Sequence, residues 1–99
     1  MSFSLMVNIP AALDPDQFAS SPALCHLPRV SRSDVARYLI SVGLDHLPEE
    51  IERGAVSGSR VRLNIPEWMD EALYREAAAR RVSIATVARC ALDLGLARV

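Results

Sequence analysis

The chain nearly repeats itself, and that constrains its fold more than any other feature. Residues 7–10 read Val-Asn-Ile-Pro, and residues 63–66 read Leu-Asn-Ile-Pro. Residues 29–47, RVSRSDVARYLISVGLDHL, align with residues 81–99, RVSIATVARCALDLGLARV, with eight identities in nineteen positions. The matches keep their order at offsets of 56 and 52, so the chain reads as two diverged copies of one unit, the first carrying four extra residues. Internal repetition of this kind means that neighbouring units bury what one unit leaves open. Size points the same way. A chain of 99 residues buries only about 60–65% of its unfolded surface, which leaves room for one modest core.

Each copy opens with a segment of period two. Arg60-Val61-Arg62-Leu63-Asn64-Ile65 sends polar and apolar side chains to opposite faces, as a half-buried strand does, and Pro66 ends it. Ser4-Leu5-Met6-Val7-Asn8-Ile9-Pro10 follows the same alternation, with Met6 on the polar face. Copy two continues with a helix from about Glu67 to Arg81, where Met69, Ala72, Leu73 and Ala77 recur at spacings of three and four and acids fill the first turns. In copy one Pro15, Pro22 and Pro28 break this region. There the sequence predicts a short turn from about Asp16, a break near residues 20–22 and another turn through Leu27. Both copies close with a helix, capped by Ser31 (with Asp34) or Ser83. Its apolar stripe runs Val35, Ala36, Leu39, Ile40, Gly43, Leu44 and Leu47 in one copy, and Val87, Ala88, Ala91, Leu92, Gly95, Leu96 and Val99 in the other.

A lone strand leaves its backbone groups unpaired, and two copies remove the problem. The strands are expected to pair antiparallel, with Leu5, Val7, Ile9, Val61, Leu63 and Ile65 turned to the helices as the floor of the core. The expected fold is mainly α with a two-stranded antiparallel ribbon, in the order β-α-α-β-α-α. Residues 1–47 form the first unit, 48–58 a polar connector and 59–99 the second, together one compact domain.

At the Asn-Ile-Pro strands, the acidic-start helix, the Arg-Val-Ser turn and the Ser-capped second helix, the chain resembles the ribbon-helix-helix DNA-binding proteins of the MetJ/Arc type. The resemblance covers nearly all of copy two (59–98) and the strand and last helix of copy one, and departs from the pattern across residues 11–28. Two units in one chain resemble the TraY-type accessory proteins of conjugative DNA processing, and so imply an intramolecular pseudo-dimer and a place on a plasmid or mobile element. The resemblance implies that the exposed ribbon face enters the major groove of double-stranded DNA. Its base-contacting positions are Ser4, Met6 and Asn8 in copy one, with Arg60, Arg62 and Asn64 in copy two. Arginine forks onto guanine O6 and N7, asparagine pairs with adenine N6 and N7, and Met6 either meets a thymine methyl or shelters under Phe3 or Phe18. The resemblance also implies phosphate contacts at the amino end of each last helix: Arg29, Ser31, Arg32 and Ser33 in copy one, and Arg80, Arg81, Ser83 and Ile84 in copy two. Only the asparagines correspond between the copies, so the DNA site is expected to be approximately symmetric at most, with guanine contacts on the side of copy two.

Net charge does not oppose this reading. The formal charge is −1 and all eleven cations are arginines, while the acids collect at Glu49, Glu50 and Glu52 and at Glu67, Asp70, Glu71 and Glu76. Basic and acidic faces are therefore expected, with a weak non-specific DNA term. An enzyme is not expected: neither histidine sits beside a repeated polar set, and the glycines at 43, 54, 58 and 95 form no phosphate loop. No metal or other cofactor is expected. Cys25-His26 reads as a surface or half-buried pair, since His46 is the remaining histidine and there is no Cys-x-x-Cys. Cys90 reads as a packing residue, and Trp68 as a partly exposed packing residue rather than an interaction anchor. No apolar run suits a membrane span, and the first residues lack a basic secretory n-region, so the cytoplasm is the expected compartment. Repression of transcription or a DNA-processing role is expected, with self-association on DNA as a further expectation. The alternative is a protein-interaction module: an antitoxin-like partner, for which no tail follows the last helix, or a copy one that binds a protein through residues 11–28.

Overall fold

The computed structural model describes residues 2–10, 13–18, 24, 27, 29–51 and 58–98. Strand β1 (Ser2–Ile9) pairs antiparallel with β2 (Ser59–Pro66) as the two-stranded sheet expected from the alternation. Between them lies α1 (Arg32–Leu44), and after β2 come α2 (Glu67–Arg80) and α3 (Ile84–Arg98). The radius of gyration is 12.8 Å, close to the value of about 13 Å for a compact domain of this length.

The order expected for copy one is corrected. Among the described residues no α-helix lies between β1 and α1; a four-residue 3-10 helix, Pro15–Phe18, stands there instead. Proline fixes its own φ and removes a helix donor, so this segment is held by side-chain burial rather than by a long helical ladder. Leu13, Phe18 and Leu24 are all buried in the common core. The observed order is thus β-α-β-α-α. Cys25 and His26 fall outside the described residues.

Along β1 and β2 the inward residues Val7, Ile9, Leu63 and Ile65 are at most 2% exposed, while Phe3, Leu5 and Val61 pack at the rim of the same cluster. The strand register carries the repeat with it: Met6 lies opposite Arg62, its own counterpart at the offset of 56. A pseudo-two-fold axis therefore passes through that pair. Helices α1 and α3 obey the same axis. A Cβ added to Gly43 would lie 1.7 Å from the Ala91 carbonyl oxygen, and one added to Gly95 would lie 2.1 Å from that of Leu39. Each glycine thus lets its helix backbone touch the other at the counterpart position. Gly58 has a second role: with φ at +110° it starts β2 against Ile9, in a conformation that side chains avoid.

The helix ends follow their sequence signals. Ser31 and Asp34 form a full capping box on α1, and the Ser83 hydroxyl accepts the Thr86 N–H at 3.1 Å on α3. Helix α2 ends at Arg80, one residue before the expected end, because Arg81 turns into the left-handed region at φ 56°. The backbone N–H of Ser31 is the main influence that holds the Asp34 carboxyl below its ordinary 3.8; partial burial opposes it, and the Ser31 hydroxyl and Arg37 add to it. A carboxyl lowered in the folded state contributes stability above its unfolded value, and that stability is lost as pH falls through the folded value. Asp34→Asn is expected to cost about 1 kcal/mol at neutral pH. In denaturant titrations the gap from the parent protein should close as pH drops below 3.8; a gap that stays constant would place the stabilisation elsewhere.

Candidate nucleic-acid interface

The outward face of the ribbon is built from three rungs. Ser4 pairs with Asn64, Met6 with Arg62 and Asn8 with Arg60, so the six expected base-contacting residues share one face. Ser4, Arg60, Arg62 and Asn64 are exposed, while Met6 and Asn8 are half-buried. Alternate residues on a strand rise about 6.8 Å, so three rungs span about 14 Å on a ribbon of two strands about 4.8 Å apart. Two strands at that spacing are narrower than the DNA major groove, about 12 Å across. No acidic side chain belongs to this face. The acids expected on the far side include Glu67 and Glu71, exposed on α2, and Glu49 and Glu50, exposed after α1.

Two arginines that the repeat presents only as identities, Arg37 and Arg89, hold the face in place. Arg37 donates to the Asn64 carbonyl oxygen at 3.3 Å, and Arg89 donates to that of Asn8 at 2.9 Å. Arg37 and Arg89 are counterparts, as are Asn8 and Asn64, so the same contact occurs on both sides of the axis. Each arginine is also paired with a carboxylate of its own helix, Arg37 with Asp34 and Arg89 with Asp93. A guanidinium shared between a carboxylate and a carbonyl is fixed in direction. The asparagine backbones are thereby tied to α1 and α3 while their side chains stay at the outer face. The signal was present in the sequence as the repeated Val-Ala-Arg, although nothing in it indicated a backbone carbonyl as the target.

The expected phosphate contacts divide into two groups. Arg29, Ser31, Arg81 and Ser83 are exposed around the amino ends of α1 and α3. Arg32 is half-buried and donates to the Pro10 carbonyl oxygen at 2.9 Å, and its buried Nε has no partner among the described residues. Arg80 donates to the Pro48 carbonyl oxygen at 2.8 Å and pairs with Glu76, which ties α2 to the start of the connector. Ser33 and Ile84 are half-buried, and Ile84 packs against the core. Arg32 and Arg80 thus already serve the fold.

The amino end of α3 stands beside one end of the ribbon. A cleft of about 200 Å³ is lined by Met6, Asn8, Arg60, Ala85, Thr86 and Arg89. Arg37 brings α1 alongside the other end, at Asn64. The register also mixes the two copies along the ribbon. The strands run the length of the ribbon in opposite directions, so each end takes one residue from each copy: Asn8 with Arg60 beside α3, and Ser4 with Asn64 beside α1.

Among the described residues no group of three His, Cys, Asp or Glu side chains could hold a metal ion. Cys90 is half-buried; burial first, and then the Asp93 charge, push its thiol up, with Arg80 opposing. No described helix is long and apolar enough to cross a membrane. Trp68 is 56% exposed and Tyr74 65% exposed, both on α2. The chain matches no family model, no curated protein and no solved structure.

Proposed function

We propose that this chain is a sequence-specific double-stranded DNA-binding protein which lays β1 and β2 in the major groove. It is similar to a ribbon-helix-helix pseudo-dimer within one chain, except that among the described residues a 3-10 helix stands in place of copy one's first helix. The observation that carries the reading is the outward row of Ser4–Asn64, Met6–Arg62 and Asn8–Arg60, free of acids and narrow enough for the groove. The residue types suit base edges: two arginines, two asparagines, a serine and one apolar side chain. The amino ends of α1 and α3 offer backbone N–H groups to phosphates on either flank, with Arg29, Ser31, Arg81 and Ser83 around them. Its role is repression of transcription or assistance to DNA processing, in the cytoplasm.

The protein-interaction alternative is less well supported. Of the described residues within 11–28, Leu13, Phe18 and Leu24 face the core and are not offered to a partner. Arg62→Ala separates the two readings. It is expected to cost about 1–3 kcal/mol on a preferred duplex and to relax the choice of base at one position. Fluorescence anisotropy on preferred and random duplexes at two salt concentrations reads both effects. An equal loss on both duplexes would assign Arg62 to phosphate. Absence of salt-sensitive duplex binding by the parent protein would overturn the proposal.

A further inference from the structure

We infer that the ribbon reads a one-sided DNA site, with guanine recognition confined to the centre and to the flank beside the amino end of α3. The inference rests on the DNA-binding reading and adds an orientation to it. The pseudo-two-fold axis passes through the Met6–Arg62 pair, so an exact two-fold would place identical side chains at positions 4 and 60, 6 and 62, and 8 and 64. Two of the three pairs break it. Position 60 holds arginine where position 4 holds serine, and position 62 holds arginine where position 6 holds methionine. Both losses of charge fall on β1.

The antiparallel register turns that chemical difference between strands into a geometric difference between ends. The end beside Ala85 and Thr86 carries Asn8 and Arg60, whereas the opposite end carries Ser4 and Asn64. Arginine matches the two acceptors of guanine, asparagine matches adenine, and serine distinguishes bases poorly. At the centre a lone Arg62 reaches a guanine on one strand of the duplex, while Met6 presents only an apolar side chain to the other. Among the described residues neither Arg60 nor Arg62 has a hydrogen-bond or ion-pair partner that would withhold it from a base. The rungs are about 6.8 Å apart, or about two base-pair rises of 3.4 Å. The two guanine preferences should therefore lie about two base pairs apart, both off the side that Ser4 faces.

The test is selection of bound sites from randomised duplexes by the full chain and three variants. The parent protein should select a non-palindromic element with guanine at the centre and on one flank only. Arg60→Ala should erase the flank preference alone and lower affinity for the selected element by roughly 5- to 150-fold. The decisive variant adds rather than removes: Ser4→Arg should introduce a guanine preference at the mirror position, and Ser4→Arg with Met6→Arg should convert the consensus toward a palindrome. Ser4 is exposed, so Ser4→Arg should keep the parent's thermal transition. If two chains bind, the selected sequence should contain two copies of the one-sided element, which supports the inference equally. A palindromic element bound by one parent chain, or a Ser4→Arg consensus identical to the parent's, would overturn it while leaving DNA binding standing. Failure to enrich any duplex would instead defeat the DNA-binding reading itself.

Discussion

Gly43→Ala is expected to destabilise the protein by about 3 kcal/mol or more, against a total of roughly 5–15 kcal/mol for a domain of this kind. The sign of the effect makes the test sharp. In an ordinary helix interior, Gly→Ala stabilises by about 1 kcal/mol, because alanine restricts the unfolded chain and favours the helix. Here the new Cβ would stand 1.7 Å from the carbonyl oxygen of Ala91. That oxygen belongs to helix backbone and cannot swing aside as a side chain end would. The helices must separate, and the separation loosens Val35, Leu39, Val87 and Leu92, all fully buried around the crossing. Gly95→Ala meets the reciprocal contact, 2.1 Å from the Leu39 carbonyl oxygen. The double variant should lose less than the sum of the two, because helices already parted by one Cβ have room for the other. Chemical denaturation of the three variants measures this. A neutral or stabilising Gly43→Ala would mean that α1 and α3 do not touch there.

The same crossing marks where sequence reading stops. Gly43 and Gly95 were visible as repeated members of two apolar stripes, and burial of those stripes followed from their spacing. Close backbone approach did not follow, because a glycine in a stripe fits a packed small residue equally well. The strands and their antiparallel pairing were legible because period two separates the faces without reference to any partner; the register, which sets Met6 opposite Arg62, is visible only in the structure. Arg37 and Arg89 were legible only as identities, since their targets are the carbonyl oxygens of Asn64 and Asn8, which carry no residue-specific signal. Arg32 and Arg80 illustrate the converse. Each donates to a carbonyl oxygen, that of Pro10 or of Pro48, and only the three-dimensional path of the chain brings those prolines near. After β1 the short turn near Asp16 was legible and stands as the 3-10 helix Pro15–Phe18, but three prolines broke the periodicity and left the burial of Leu13, Phe18 and Leu24 without a pattern to announce it.

Supplying the two halves as separate polypeptides, 1–51 and 58–99, is expected to lower apparent stability by about 4 kcal/mol at micromolar concentration. Among the described residues the most extensive contacts are β1 with β2 and α1 with α3, and each joins one half to the other. Neither half keeps a paired strand when alone. Its ribbon face would lose every cross-strand hydrogen bond, and the stripe of its last helix would lose the surface that covers it. In the intact chain the connector supplies the partner at an effective concentration of about a millimolar. At a micromolar of each half that advantage falls about a thousandfold, which is the 4 kcal/mol. Each half alone should therefore be largely unfolded by circular dichroism, and the equimolar mixture should refold with a midpoint that rises with concentration. The intact chain should show a midpoint independent of concentration and a mass near 10.8 kDa by light scattering. An intact chain seen only as a species of twice that mass would point to strands exchanged between two chains. Either half folding alone with a cooperative transition would show that the repeat is an array of independent units, and the pseudo-two-fold core would then not be the source of stability.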